Sequence, residues 1–324
     1  MNTHSPFHLY RADGTPNGSG ATLPPLDPGL WNDDPSGYVA EPGLQDAVNV
    51  SLALGQPLLV TGEPGTGKTQ LAASIGHALG LPQPLVFRTK STSTARDLFY
   101  RYDSLRHFHD AQFSDQPPSI EGYIHYDALG LAILLSMPSD EADPLLPHQL
   151  KGRGPIRSVV LIDEVDKAPR DLPNDVLDEL ESMSFTVKET GRTFAADRRF
   201  RPAVVLTSNS EKTLPDAFLR RCVFYHLTFP DHARLGEIVR RRLGPTRLTS
   251  QNIDQAIRHF ESVRQLGLRK KPSTAELIAW LRVVDAVQLD FSSGNPSSRE
   301  ALALTYSILA KSKEDVAMLL DRVD

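Results

Sequence analysis

Val159-Val160-Leu161-Ile162 is a run of four aliphatic residues with no polar break, and three other short stretches share its character. They are Pro57-Leu58-Leu59-Val60, Leu85-Val86-Phe87 and Ala203-Val204-Val205-Leu206-Thr207. Runs of this kind suit parallel strands buried on both faces. Val223-Phe224-Tyr225-His226-Leu227 reads as a fifth strand. Helical patterns stand between them: Leu44, Val48, Ser51 and Leu52 fall at helical spacing, and Gln70 to Leu79, Thr94 to Tyr102 and Asp171 to Ser182 read as helices. Strands alternating with helices predict a parallel, doubly wound sheet. After Pro230 the pattern becomes helical throughout, with segments near 232–243, 250–266, 273–288, 297–310 and 312–323. That predicts a separate all-α domain.

Three stretches depart from this rhythm. Residues 1–37 are rich in Pro, Gly, Asn and Asp and carry no apolar period, which reads as an irregular arm. Residues of about 104–155 hold Pro117-Pro118, the apolar segment Ala128 to Leu135 and the acidic run Ser139 to Asp143. They read as an insertion with its own short helix, outside the framework. Phe185-Thr186-Val187 and Arg192-Thr193-Phe194 flank Glu189-Thr190-Gly191 and predict a hairpin within about 184–200. The expected organisation is therefore an arm (1–37), a nucleotide-binding α/β domain (38–231) and a helical domain (232–324).

Composition narrows the class without deciding it. The chain has 324 residues, 40% of them hydrophobic and 23% charged, as in a globular protein. A net charge of −5 argues against a protein dedicated to coating nucleic acid, while leaving room for a local basic patch. The single cysteine, Cys222, excludes an intrachain disulfide framework and reads as a small core residue. No apolar stretch approaches the roughly 18 residues of a membrane span, and the polar start has no signal-peptide core, so a cytoplasmic protein is expected.

The chemistry is concentrated in Gly62-Glu63-Pro64-Gly65-Thr66-Gly67-Lys68-Thr69, which follows the first strand and opens a helix. Glycines let the backbone curl until successive N–H groups face one anion, and the helix N-terminus adds partial positive charge. Lys68 is expected to reach the β- and γ-phosphates of a nucleoside triphosphate, and the Thr69 hydroxyl to ligate magnesium. An ordinary Gly/Pro turn is the bland alternative.

Asp163-Glu164 ends the four-aliphatic strand, at the edge where α/β sheets hold ligands. Asp163 suits the magnesium shell through water, and Glu164 suits a general base for an attacking water. A solvated acidic pair capping a helix is the alternative. Asn209 ends the next strand, where its amide is suited to hold that water, or merely to form a turn. Arg220-Arg221 closes the helical run from Leu214. The two arginines read either as a solvated helix end or as guanidinium groups projected into a neighbouring subunit's nucleotide.

These motifs in this order resemble the AAA+ ATPases, and within them the MoxR-like branch, over residues from Tyr38 onward. The resemblance implies a five-stranded sheet ordered 5-1-4-3-2, a helical lid, hexameric assembly, and ATP with Mg2+ as the bound cofactors. It also implies that Arg221 acts in trans, with Arg220 standing where the family has an aspartate. Tyr38 and Val39 stand where such ATPases contact the base. Stretches 104–155 and 184–200 look like the family's helical insert and the hairpin before its first sensor. The second sensor's arginine is missing: the run is Leu268-Arg269-Lys270-Lys271-Pro272-Ser273-Thr274-Ala275-Glu276, so Lys271 is the expected substitute, ahead of Arg269 or Lys270. A basic loop before a Ser273–Glu276 capping box accounts for the same residues. MoxR-like ATPases are typically partnered with von Willebrand factor A domain proteins and act as chaperones. The resemblance therefore implies an ATP hydrolase that remodels or activates a protein client. Two alternatives are a nucleotide-gated assembly module with slow hydrolysis and a nucleic-acid-associated NTPase. The second lacks an aromatic-plus-basic binding stripe.

Overall fold

The computed structural model describes residues 34–113, 118–210, 214–286 and 296–321, so most of the expected arm lies outside the described residues. Packing divides the chain into two units. One is Ala40–Phe229; the other joins Pro230 onward to the residues up to Val39.

The first unit contains strands β1 (Leu58–Gly62), β2 (Leu85–Arg88), β3 (Tyr100–Tyr102), β4 (Ile124–Tyr126), β5 (Val159–Asp163), β6 (Ser184–Thr186), β7 (Thr193–Ala195), β8 (Ala203–Ser208) and β9 (Val223–Leu227). Five of them form one sheet in the order β2-β5-β8-β1-β9, every pair parallel. Numbered among themselves, these five read 5-1-4-3-2 from the β9 edge, as the resemblance implies. The aliphatic runs dictate the arrangement. All of β1 is buried, as is Val159–Ile162, whereas the edge strands leave Val86 and Phe224 exposed. Helix α1 (Pro42–Leu54) packs on β9 and β1, opening at a proline and ending at Gly55 in the left-handed region. Helix α2 (Lys68–Ala78) follows the phosphate-loop sequence and packs on β1, β5 and β8.

Two expectations are corrected here. Thr94 to Tyr102 is not a helix. It is a single 3-10 turn, Ala95–Leu98, closed by a Thr94–Asp97 capping box, followed by β3 paired antiparallel with β4. Tyr100 and Tyr102 with an exposed Arg101 between them make an alternating, aromatic segment, which fits a pleated surface better than a helix. Nor does the stretch after it stand outside the framework. It holds helices α3 (Ser104–Gln112) and α4 (Ala128–Ser136), and α4 is apolar on nearly every side. Leu129, Ile133 and Leu134 join Val160, Ile162 and Leu206 in one core. The expected hairpin is formed by β6 and β7, with Gly191 at φ 70° in its turn. The helix expected from Asp171 breaks at Val176 into Leu172–Asp175 and Leu177–Ser182.

The second unit has helices His232–Arg242, Ser250–Gln265, Thr274–Ala286, Pro296–Leu309 and Lys313–Leu320. Asp231, Thr249 and Ser312 each accept an N–H bond as N-caps. Trp280 is fully buried at its centre, its indole donating to Thr305 Oγ1 at 2.7 Å. Pro35–Gly37 forms a 3-10 turn against the His232–Arg242 helix, so this end of the expected arm is regular. No described helix is long and apolar enough to cross a membrane.

Candidate nucleotide site

The ends of β1, β5 and β8 lie side by side, because Thr61 pairs with Ser208 and Ile162 with Leu206. Three turns therefore leave the sheet at one edge: the glycine loop after β1, Asp163-Glu164 at the end of β5, and Asn209 after β8. The loop curls through positive φ at Gly62 (147°), Gly65 (77°) and Gly67 (95°). A Cβ on Gly62 would lie 2.3 Å from the Leu227 carbonyl oxygen of β9, so both the conformation and the packing there require glycine. Thr66 Oγ1 donates to the Glu63 carbonyl at 2.9 Å and braces the turn that carries Pro64.

Lys68 is 7% exposed and converges with three oxygens. Its Nζ donates to the carbonyls of Gly62 (2.8 Å) and Glu63 (2.9 Å) and to Asn209 Oδ1 (3.1 Å). Burial pulls its pKa below the ordinary lysine value, and the charges of Asp166, Asp163, Glu164 and Glu63 oppose that fall. Asp163 Oδ1 accepts from Thr69 Oγ1 at 3.0 Å and from Thr207 Oγ1 at 2.6 Å. The same Thr207 oxygen accepts the Glu164 N–H at 2.9 Å. Glu164 sits at φ 57°, ψ 51°, a left-handed conformation costly for a non-glycine residue and held by that bond. Its Oε2 meets Lys167 Nζ at 2.5 Å, which raises the lysine's pKa. Asp166 Oδ1 accepts the Asn209 N–H at 3.2 Å.

Gly62–Thr69, Asp163, Glu164 and Asn209 are thus brought together as expected from the sequence order. Arg220 and Arg221 are not. They precede β9, whose first residue pairs with Leu58 and whose last pairs with Gly62, so they stand at the opposite sheet edge. The five residues of β9 span about 17 Å, beyond the reach of either side chain. Arg221 Nε pairs with Glu181 Oε2 at 3.3 Å. Burial pushes the neighbouring Cys222 thiol up to about 12, which makes it unreactive.

Lys271 belongs to the helical unit, in the loop before the Thr274–Ala286 helix. The capping box is formed there: Ser273 N–H donates to Glu276 Oε2 at 2.7 Å, and Glu276 N–H to Ser273 Oγ at 3.4 Å. Arg269 is engaged with Glu314 at 3.5 Å. Tyr38 and Val39 belong to the same unit, the Val39 carbonyl accepting from Arg234.

Sequence reasoning missed Thr207, Asp166 and Lys167. For Asp166 and Lys167 a signal existed, since both follow the acidic pair within one turn. Thr207 reads only as a strand residue until β5 and β8 are paired.

The donor set fits magnesium. Thr69 Oγ1 offers a direct ligand, and the Asp163 carboxylate, 3.0 Å from it, stands where it can hold a water of the ion's shell. Both are hard oxygen donors, which suit magnesium, an ion that keeps several waters and takes phosphate oxygens.

A glycine loop opening a helix, a buried lysine, and a carboxylate at the end of a parallel strand one strand removed from the loop define a P-loop nucleoside-triphosphatase domain. The family model described as AAA domain (dynein-related subfamily) matches residues 57–242, and the chain belongs to that family. It carries an AAA-type ATPase domain. No curated protein sequence matches it. Among solved structures, a Thermotoga maritima RuvB variant is similar over 86% of this chain and 67% of its own, with 13% identity and a TM-score of 0.42.

Proposed function

We propose that the chain is a MoxR-like AAA+ ATPase, assembled as a hexameric ring, that hydrolyses ATP to remodel or activate a partner protein. The observation that carries this reading is the convergence of Lys68, Asp163 and Asn209 on one sheet edge. The loop N–H groups and Lys68 bind the phosphates, exchanging the carbonyl contacts of Lys68 for phosphate oxygens. Thr69 would ligate magnesium directly and Asp163 would hold it through water, and the ion would neutralise charge on the transferred phosphoryl group. Glu164 takes the proton of the attacking water and Asn209 orients it. Arg221 stabilises transition-state charge in the adjacent subunit's site, with Arg220 beside it, because neither reaches its own subunit's phosphates. Lys271 serves as second sensor. A protein client or a partner with a von Willebrand factor A domain follows from the MoxR resemblance, and a cytoplasmic setting from the sequence.

Glu164→Gln tests the reading, since it keeps size and hydrogen-bonding capacity while removing the base. ATP binding by calorimetry should persist, and steady-state turnover should fall by about 10²-fold or more. Normal turnover in this variant assigns the base elsewhere and sinks the mechanism. A second reading, a nucleotide-gated assembly module with slow hydrolysis, is favoured by the Glu164–Lys167 ion pair, which occupies the carboxylate the mechanism needs. The two differ in response to client: a remodeller speeds up when client is added, and a timer does not.

A further inference from the structure

At the sheet edge opposite the phosphate loop, where β1, β8 and β9 begin, lies a cavity of about 640 Å³. Five arginines line it, Arg157, Arg198, Arg201, Arg220 and Arg221, against a single carboxylate, Glu181. Such a concentration of positive charge runs against a chain whose net charge is −5.

The five are held differently. Arg201 donates Nε to the Gly55 carbonyl (3.0 Å) and Nη2 to those of Leu180 (3.1 Å) and Glu181 (2.9 Å). Arg157 Nη2 donates to the Arg199 carbonyl at 3.2 Å. Carbonyls orient a guanidinium without cancelling its charge. Arg221 has Glu181 at 3.3 Å, but both side chains are largely in water, where such a pair is weak. The side chains of Arg198 and Arg220 have neither a hydrogen bond nor an ion pair among the described residues. Like charges gathered around one concavity repel each other and focus a positive potential into it, which an anion relieves. Guanidinium forks match phosphate oxygens two at a time, and the volume lies within the roughly 300–1,000 Å³ of small-molecule sites.

We propose that this cavity is a second anion site, which takes the phosphate groups of a small polyphosphate independently of the phosphate loop. β1 lies between the two sites and spans about 17 Å, so one polyphosphate cannot serve both. Arg220 and Arg221 enter both this proposal and the reading of the ring. Arg198 belongs to the cavity alone and is the discriminating residue. It opens the short 3-10 turn Arg198–Phe200, whose cap is made by Asp197 and not by its own side chain.

The test uses the full chain carrying Lys68→Ala, so that the phosphate loop is crippled, and titrates sodium tripolyphosphate without magnesium by calorimetry. Saturable binding of one anion per chain is expected, weakening as salt is raised. Adding Arg198→Glu should cost tenfold or more in affinity, and Arg198→Gln, which keeps length and polarity, several-fold. A parallel titration with ATP identifies the source: affinity equal to tripolyphosphate means that the phosphates alone are read, and tighter ATP binding means a nucleotide. Absence of saturable binding to the Lys68→Ala chain, or an affinity unmoved by both Arg198 variants, overturns the proposal. The phosphate-loop reading is judged separately, by magnesium-dependent ATP binding to the chain with Lys68 intact.

Discussion

Lys68 donates to Gly62, Glu63 and Asn209 from a side chain almost wholly removed from water, so its ammonium depends on the oxygens around it. Lys68→Ala removes the one charged donor of the loop. A charge-assisted contact is worth roughly 1.5–3 kcal/mol, so ATP affinity measured by calorimetry should fall by about tenfold or more. Unchanged affinity would dissolve the phosphate-loop assignment. At this scale the sequence was informative where the chemistry is contiguous, as in Gly62–Thr69, and where a charged pair ends an apolar strand, as at Asp163-Glu164. It was silent on Thr207, whose hydroxyl links Asp163 to the Glu164 backbone only because β8 lies beside β5. Lys167 follows the acidic pair within one turn, but the left-handed conformation of Glu164 is announced by no local pattern.

Helix α4 shows how an element can mislead when read by composition alone. An apolar segment between proline-rich and acidic runs suggests an appendage, yet α4 packs on β2 and β5 and supplies the core beneath the β2–β5 side of the sheet. Its close approach depends on Gly130, where a Cβ would stand 2.0 Å from the Phe99 carbonyl oxygen. Backbone on that side cannot step aside as a side chain can. Gly130→Ala should therefore destabilise the chain by about 1–3 kcal/mol, read as a lower urea midpoint, in spite of alanine's better helix propensity. A midpoint equal to or above that of the parent protein would show that α4 tolerates displacement.

In the helical unit, two histidines pull stability in opposite directions with pH. His232 bonds Glu261 and Asp254 at 2.8 Å each and joins two helices, and these carboxylates hold its pKa above the usual value. That contribution is complete below the unfolded value of about 6.5 and is lost as pH rises through the folded one. His259, stacked against Trp280 and Tyr306, is held below the usual value by burial. Its contribution is present above about 6.5 and is lost as pH falls through the folded value. His232→Gln should accordingly lower the melting temperature more at about pH 5.5 than at about pH 8.5. An equal loss at both would mean that the carboxylates give the ring no charge-dependent hold.

At the scale of the molecule, the alternation of buried strands and helices followed by helices alone made a parallel sheet and the change to an all-α unit legible, because each follows from a period in the sequence, whereas the strand order was implied only by the family resemblance. The strand pairing within residues 100–126 was not, since three-residue strands carry too short a pattern to outweigh neighbouring helical signals. The placement of Arg220 and Arg221 has the widest consequence. They flank the start of β9 while the phosphate loop leaves the end of β1, so on the proposed reading an arginine finger would have to serve another copy's nucleotide. A ring whose sites are completed between subunits is the central claim. It is tested most directly by mixing two inactive proteins: Lys68→Ala, which lacks a working site but keeps its arginines, and Arg221→Ala, which keeps the site but supplies no finger. An arginine finger contributes about 10³–10⁵ in rate, so even a minority of repaired interfaces should be visible as recovered ATP turnover. Recovery in the mixture, repeated with Arg220→Ala to assign the finger, is the predicted result; mixtures that demonstrably co-assemble and stay inactive would contradict it.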